Sequence, residues 1–122
     1  RAYDAAGALV AQFPCSIGQS ESKRPVGELH IDNCARDPSF TFDPEVFPES
    51  HETRKYLLPP GPNNPVGQAW IGLSLAGYGI HGTPHPEDIG RTESHGCFRL
   101  ANWNALKLLR MIELGTPVIV EP

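Results

Sequence analysis

Residues 94 to 99 read Ser-His-Gly-Cys-Phe-Arg, and residues 80 to 85 read Ile-His-Gly-Thr-Pro-His. Together they gather His81, His85, His95 and Cys97 into one short stretch. Three chemistries compete for such a cluster. Three imidazoles and a thiolate make a tetrahedral zinc set. A cysteine close to a histidine is also a nucleophile with its base. The third reading is structural, a buried thiol with histidines on a loop surface.

The zinc reading is weak on geometry. His81 and His85 imitate the i, i+4 pair of a helical zinc motif. Gly82 and Pro84 lie between them, however, and Pro86 follows. No helix would hold both rings on one face there, so neither metal nor cofactor is expected. The structural reading would serve for a single histidine and a single cysteine, and it loses weight when both motifs occur together. The nucleophilic reading needs four things. A thiolate must form from a thiol that is ordinarily protonated at neutral pH. A histidine must take its proton, leaving a thiolate–imidazolium pair. A third group must fix that histidine's tautomer. Backbone N–H groups must face the oxyanion, and Gly96 lets the loop before Cys97 turn them inward.

The rest of the chain narrows the setting. A length of 122 residues suits one domain, taken as 1–122. The net charge of −4 offers no basic footprint for nucleic acid or an anionic membrane. No apolar run approaches the roughly 18 residues that span a bilayer. Thirteen prolines and twelve glycines favour short strands and loops, hence a mainly β fold with one or two helices. The chain opens at Arg1 without a methionine, as a piece of a longer precursor would. Cys15, Cys34 and Cys97 cannot all pair within the chain, which leaves open a Cys15–Cys34 disulfide or three thiols.

Along the chain, 8–17 and 28–32 predict two strands of a hairpin, with Leu29 and Ile31 on one face and Glu28, His30 and Asp32 on the other. Residues 33–67 are too rich in proline for regular structure, and 44–65 is the candidate to cover a cleft. "QAWIGLSL" at 68–75 and "YGIHG" at 78–82 predict a strand pair. A helix follows, with Asn102 as N-cap and a stripe of Trp103, Leu106, Leu109 and Ile112. Trp103 is expected to anchor that helix in the core. Lys107 and Arg110 point to solvent, and Gly115 stops the helix. "TPVIVEP" at 116–122 closes the chain as a strand.

"IHGTPHPEDIGRTESHGCFRLANWNAL", residues 80–106, resembles the catalytic segment of the L,D-transpeptidases, the YkuD-like family. The family signature is a histidine, a spacer, and Ser/Thr-x-Gly-Cys followed by a hydrophobic residue and often Arg or Asn. His81 and the run from Ser94 to Arg99 fit it. Upstream, "PVGELHI" at 25–31 is similar to the family's strand after a "TPxG" turn, with Arg24 where threonine is usual. The family's domain usually opens with a further strand, so the chain is expected to lack its first one. The resemblance implies a curved β-sheet or sandwich with a helix packed against it. It implies Cys97 as nucleophile, His81 as base and the Gly82 carbonyl as third member. Backbone N–H groups of His95, Gly96 and Cys97 would form the oxyanion hole. Ser94 would order the loop, and Arg99 would hold a substrate carboxylate or brace the loop.

The resemblance implies peptidoglycan stem peptides as donor and acceptor, no cofactor, and carbapenems as covalent inhibitors. It places the protein in the periplasm or cell wall of a bacterium. An L,D-carboxypeptidase and a non-catalytic wall-binding module are the alternative functions. Histidine before cysteine is the reverse of the papain-like order.

Overall fold

The computed structural model describes residues 1–18, 24–45, 51–91 and 96–122. Among these, the core is a five-stranded sheet built from β3 (Gly27–Arg36), β6 (Ala69–Leu73), β7 (Gly79–His81), β8 (Phe98–Arg99) and β9 (Pro117–Val120), in the order β8-β7-β6-β3-β9. Two small hairpins flank it: β1 (Ala2–Tyr3) with β2 (Leu9–Ala11), and β4 (Phe40–Phe42) with β5 (Tyr56–Leu58). One α-helix, α1 (Asn102–Met111), packs on the sheet, and Pro86–Asp88 form a single 3₁₀ turn. The fold is mainly β with one α-helix, as expected.

A bulge in β3 decides which side chains face which way. Ile31 pairs with Leu73, but Asn33 then pairs with Gly72, so Asp32 is the extra residue. Before the bulge, Leu29 and Ile31 face α1. After it, Asn33 and Ala35 face the opposite side. Ile31, Ile71 and Leu73 form the buried centre, with Leu29, Ile80, Phe98, Leu108, Leu109 and Val118 packed around them. Ala69, Leu100 and Ala105 continue that core. Fully burying such aliphatic side chains contributes roughly 1.5–3 kcal/mol each.

Several expectations are corrected. β2 does not pair with β3. Asp4 accepts N–H bonds from Ala6 and Ala8 through Oδ1, and the resulting turn zips β2 onto β1. The edge of β3 is taken by β9, with Leu29 opposite Val118. The region 33–67 is not structureless: β3 runs on to Arg36, and β4 and β5 form a hairpin closed by the Phe42–Tyr56 ring stack, centroids 4.9 Å apart.

In α1 the N-cap is Ala101, and Asn102 is the first helical residue. Trp103 is 65% exposed rather than a core anchor. It lies two residues from the buried Ala105, hence about 200° round the helix on the far face. The helix ends at Met111. Gly115, at φ +86°, serves the turn into β9, where its N–H donates to the Ile31 carbonyl. The paired β6 and β7, the closing strand β9, and the exposed Lys107 and Arg110 agree with expectation.

Candidate active site

The sheet has a core face and a site face. Residues paired across a sheet share a face. Ile71, Ile80 and Phe98 form one row toward the core; Trp70, His81 and Arg99 form the next row, on the opposite face. Alternation along β8 sends Phe98 inward. It puts Cys97, immediately before the strand, on the same face as Arg99 and therefore as His81. Parallel pairing of β7 with β8 makes His81 and Cys97 diagonal neighbours. The long spacer between the two motifs is thus a crossover that returns the chain beside its own β7.

His81 is 5% exposed, and its Nδ1 lies 2.6 Å from the Gly82 carbonyl oxygen. A carbonyl only accepts, so Nδ1 carries the proton and Nε2 is left as the basic nitrogen. Burial pulls the His81 pKa down from 6.5 to about 4, against the Gly82 hydrogen bond, which raises it; the Arg99 charge lowers it further. Cys97 is half-buried, and its thiol donates to the Gly77 carbonyl at 3.6 Å. Burial pushes its pKa above the ordinary 9.0, while a backbone hydrogen bond from Gly79 and the Arg99 charge pull the other way. Both shifts favour the uncharged forms. Burial thus works against separating charge between the thiol and the imidazole before substrate arrives. Burial taxes both charges, and Arg99 relieves only the thiolate.

Gly96 is buried and sits at φ +138°, a conformation that side chains rarely adopt. Its Cα lies close to Gly18, whose carbonyl accepts from Arg24 Nε at 2.8 Å. Arg99 is held through its backbone by a reciprocal bridge to the buried Ser16, at 2.9 and 3.1 Å. Its Nε is buried without a hydrogen-bond partner among the described residues. His81, Gly82, Gly96, Cys97 and Arg99 thus come together. Ser94 and His95 lie outside the described residues. His85 stands apart, exposed, 3.5 Å from Glu87. Among the described residues no His, Cys, Asp or Glu cluster could hold a metal ion, no helix is long and apolar enough to cross a membrane, and no disulfide joins Cys15 to Cys34.

Three contributors, Trp70, Asn33 and Asn102, were not read as site residues in the sequence. The Trp70 ring stacks on His81, and its Nε1 donates to Asn33 Oδ1 at 2.9 Å. Asn102, expected as a cap, instead reaches the backbone after His81. Alternation in "AWIGL" was the available signal for Trp70, since Ala69, Ile71 and Leu73 claim the core face and leave Trp70 opposite. Beside Trp70 lies an open cavity of about 480 Å³, lined by Ala35, Pro38, Phe40, Thr41, Val66 and Gly77 among others. Its wall is β4 and the turn before it; of the segment 44–65, expected to cover a cleft, residues 46–50 lie outside the described residues.

The family model of the L,D-transpeptidase catalytic domain, YkuD, matches residues 1–120. The chain belongs to this family. It is 32% identical over 114 residues to the YkuD protein of Bacillus licheniformis, covering 93% of this chain and 54% of that protein. It is 30% identical over 112 residues to that of Bacillus subtilis, with 92% and 54% covered. The chain therefore spans about half the length of these L,D-transpeptidase relatives. An L,D-transpeptidase structure from Mycobacterium smegmatis superposes with a TM-score of 0.69 at 22% identity, covering 95% of this chain and 51% of that one. The catalytic domain of the E. faecium enzyme, acylated by ertapenem, gives 0.64 at 22% identity, with 93% and 82% covered. These establish the YkuD fold.

Proposed function

We propose that this domain is a peptidoglycan L,D-transpeptidase that works through a Cys97 thioester. The observation that carries the reading is one sheet face holding a nucleophilic side chain diagonal to a histidine whose tautomer is fixed. Family membership supports peptidoglycan as the substrate class, here a tetrapeptide stem. As Cys97 Sγ attacks the carbonyl of the stem's third residue, meso-diaminopimelate, His81 Nε2 takes the thiol proton. Burial, which disfavours both charges, makes this transfer part of the attack rather than a step before it. Negative charge moves to the substrate oxygen, where N–H groups of Gly96 and Cys97, with His95, stabilise it.

Collapse breaks the amide bond. The departing D-Ala amine takes the proton from His81, leaving a thioester on Cys97. An amine of a second stem then attacks the thioester, His81 takes its proton, and the thiolate leaves as a thiol. The product is a 3→3 cross-link. Arg99, whose charge acts on both groups and whose Nε has no partner among the described residues, holds a substrate carboxylate or steadies the thiolate. Relatives whose structures carry ertapenem or imipenem support carbapenems as acylating agents for Cys97. Peptidoglycan as substrate implies work in the periplasm or cell wall.

Mass spectrometry after incubation with a purified disaccharide-tetrapeptide tests the reading. A cross-linked dimer lacking one D-Ala is expected, absent with Cys97→Ala and with His81→Ala. Tripeptide alone would replace it with L,D-carboxypeptidase activity. Unchanged substrate, with no acylation by ertapenem, would leave a wall-binding module.

A further inference from the structure

We propose that Asn102 is a positioning residue for His81, acting through the single peptide plane between Gly82 and Thr83. The inference rests on His81 as the base. The carbonyl oxygen of that plane faces His81 Nδ1 at 2.6 Å. The N–H at its other end, on Thr83, donates to Asn102 Oδ1 at 3.1 Å. A trans amide points its C=O and N–H in opposite directions, so fixing one end fixes the other. Asn102 Oδ1 also accepts the Gln68 N–H at 3.1 Å, which ties the plane to the entrance of β6. Two donors on one oxygen identify that atom as the carbonyl oxygen of the amide.

Without this clamp the plane would have a hinge. The preceding peptide, between His81 and Gly82, is pinned at both ends, since Leu100 N–H donates to the His81 carbonyl at 2.9 Å and Gly82 N–H to the Ala69 carbonyl at 3.1 Å. The Gly82 carbonyl itself can swing about ψ, because glycine has no side chain to restrain it. Asn102 removes that freedom. It also draws electron density along the amide toward the carbonyl oxygen, which strengthens the bond from Nδ1–H. Steric evidence points the same way. A Cβ on Gly67 or on Gly82 would run into Asn102 Oδ1, so both glycines make room for this one oxygen. Asn102 sits at the first position of α1, directly after the Cys97 strand and its link. The nucleophile's segment therefore also carries the group that orients the base.

The test compares Asn102→Ala, which removes the acceptor, with Asn102→Asp, which keeps an oxygen in the same place. Nitrogen-correlated NMR reads the His81 tautomer, and kcat and KM are measured on disaccharide-tetrapeptide. For Asn102→Ala we expect loss of the Nδ1–H resonance and a fall in kcat of about 10- to 100-fold with KM within about twofold, the scale of one buried hydrogen bond. Asn102→Asp should keep the resonance and most of kcat. In the wild type the Thr83 amide should exchange slowly with deuterium, a readout that needs no variant to fold. Rapid exchange of Thr83, or a slow Asn102→Ala enzyme with an unmoved His81 proton, overturns the inference alone. Full activity in His81→Ala overturns the reading beneath it.

Discussion

The indole of Trp70 lies stacked on the imidazole of His81, with ring centroids 5.7 Å apart and planes 22° from parallel. In the proposed mechanism His81 becomes a cation for part of each cycle, in a buried place that pulls its pKa to about 4. An aromatic face attracts a cation by roughly 0.5–2 kcal/mol, more strongly when water is excluded. The indole is held by its bond to Asn33, so it offers that face without being reorganised. Trp70→Leu should therefore lower kcat/KM by about 10-fold, the equivalent of 1.4 kcal/mol, and Trp70→Phe by much less. Steady-state kinetics on the tetrapeptide checks this; equal rates for wild type and Trp70→Leu would remove the indole from the mechanism.

Acid should unfold the domain through His81. Its pKa is about 4 folded against 6.5 unfolded, so between these values the unfolded chain binds the extra proton. Stability then falls as pH drops through that window, by on the order of 3 kcal/mol in all. Above pH 6.5 the contribution is complete and flat. Urea titrations at intervals from pH 7.5 to 4 should show this slope in the wild type and a shallower one in His81→Gln. Identical slopes would mean that other groups dominate acid unfolding.

Arg99 acts on the two groups of the proposed pair with one sign and two consequences. Its charge lowers the pKa of Cys97, which favours thiolate, and of His81, which disfavours imidazolium. Arg99→Gln should raise both. Fewer thiolates at a given pH mean slower alkylation, so the pH–rate curve for iodoacetamide at Cys97 should move to higher pH, with a rate at pH 8.5 about 3- to 10-fold lower. An unmoved curve would show that the guanidinium is screened from the sulfur.

Sequence carried the chemistry further than the topology. His81, Gly96 and Cys97 stood out as candidates because a thiol, an imidazole and a turn glycine close in sequence form a short-range pattern, whereas Gly82 and Arg99 entered through the family resemblance. The alternation of Leu29 and Ile31 and the pairing of β6 with β7 could be read for the same reason. Partners chosen over long range could not. β9 claims β3 from nearly ninety residues away, and Asp4 captures β2 locally before it can reach β3. The bulge at Asp32 reverses the face of Asn33 and has no sequence mark beyond a polar residue in a strand. Asn102 misled because an asparagine at a helix start satisfies either its own helix or another segment, and only tertiary placement decides. Trp103 misled because a helical stripe has two possible edges, and Ala105 rather than the indole faces the sheet.

Gly79 supplies the last test, because it shows why the indole can lie where it does. Gly79 pairs with Gly72 across β6 and β7. The two leave a trough on the site face, filled from one side by Asn33 and from the other by Trp70. A Cβ at Gly79 would stand 2.8 Å from Trp70 Cζ2 and 2.9 Å from the Ile71 carbonyl oxygen. The carbonyl belongs to the sheet and cannot move cheaply, so the indole must. Gly79→Ala should destabilise the fold by about 1–3 kcal/mol and displace the ring from His81. Gly7→Ala is the control, at φ +85° with open space around it and far along the chain from the site; it should lower Tm and leave kcat unchanged. The decisive comparison is the double variant. If Gly79→Ala acts by moving Trp70, its effect on kcat should largely vanish in a Trp70→Leu background, because neighbours that share one consequence are not additive. Full additivity would mean that Gly79 shapes the site through the backbone around Cys97 and not through the indole.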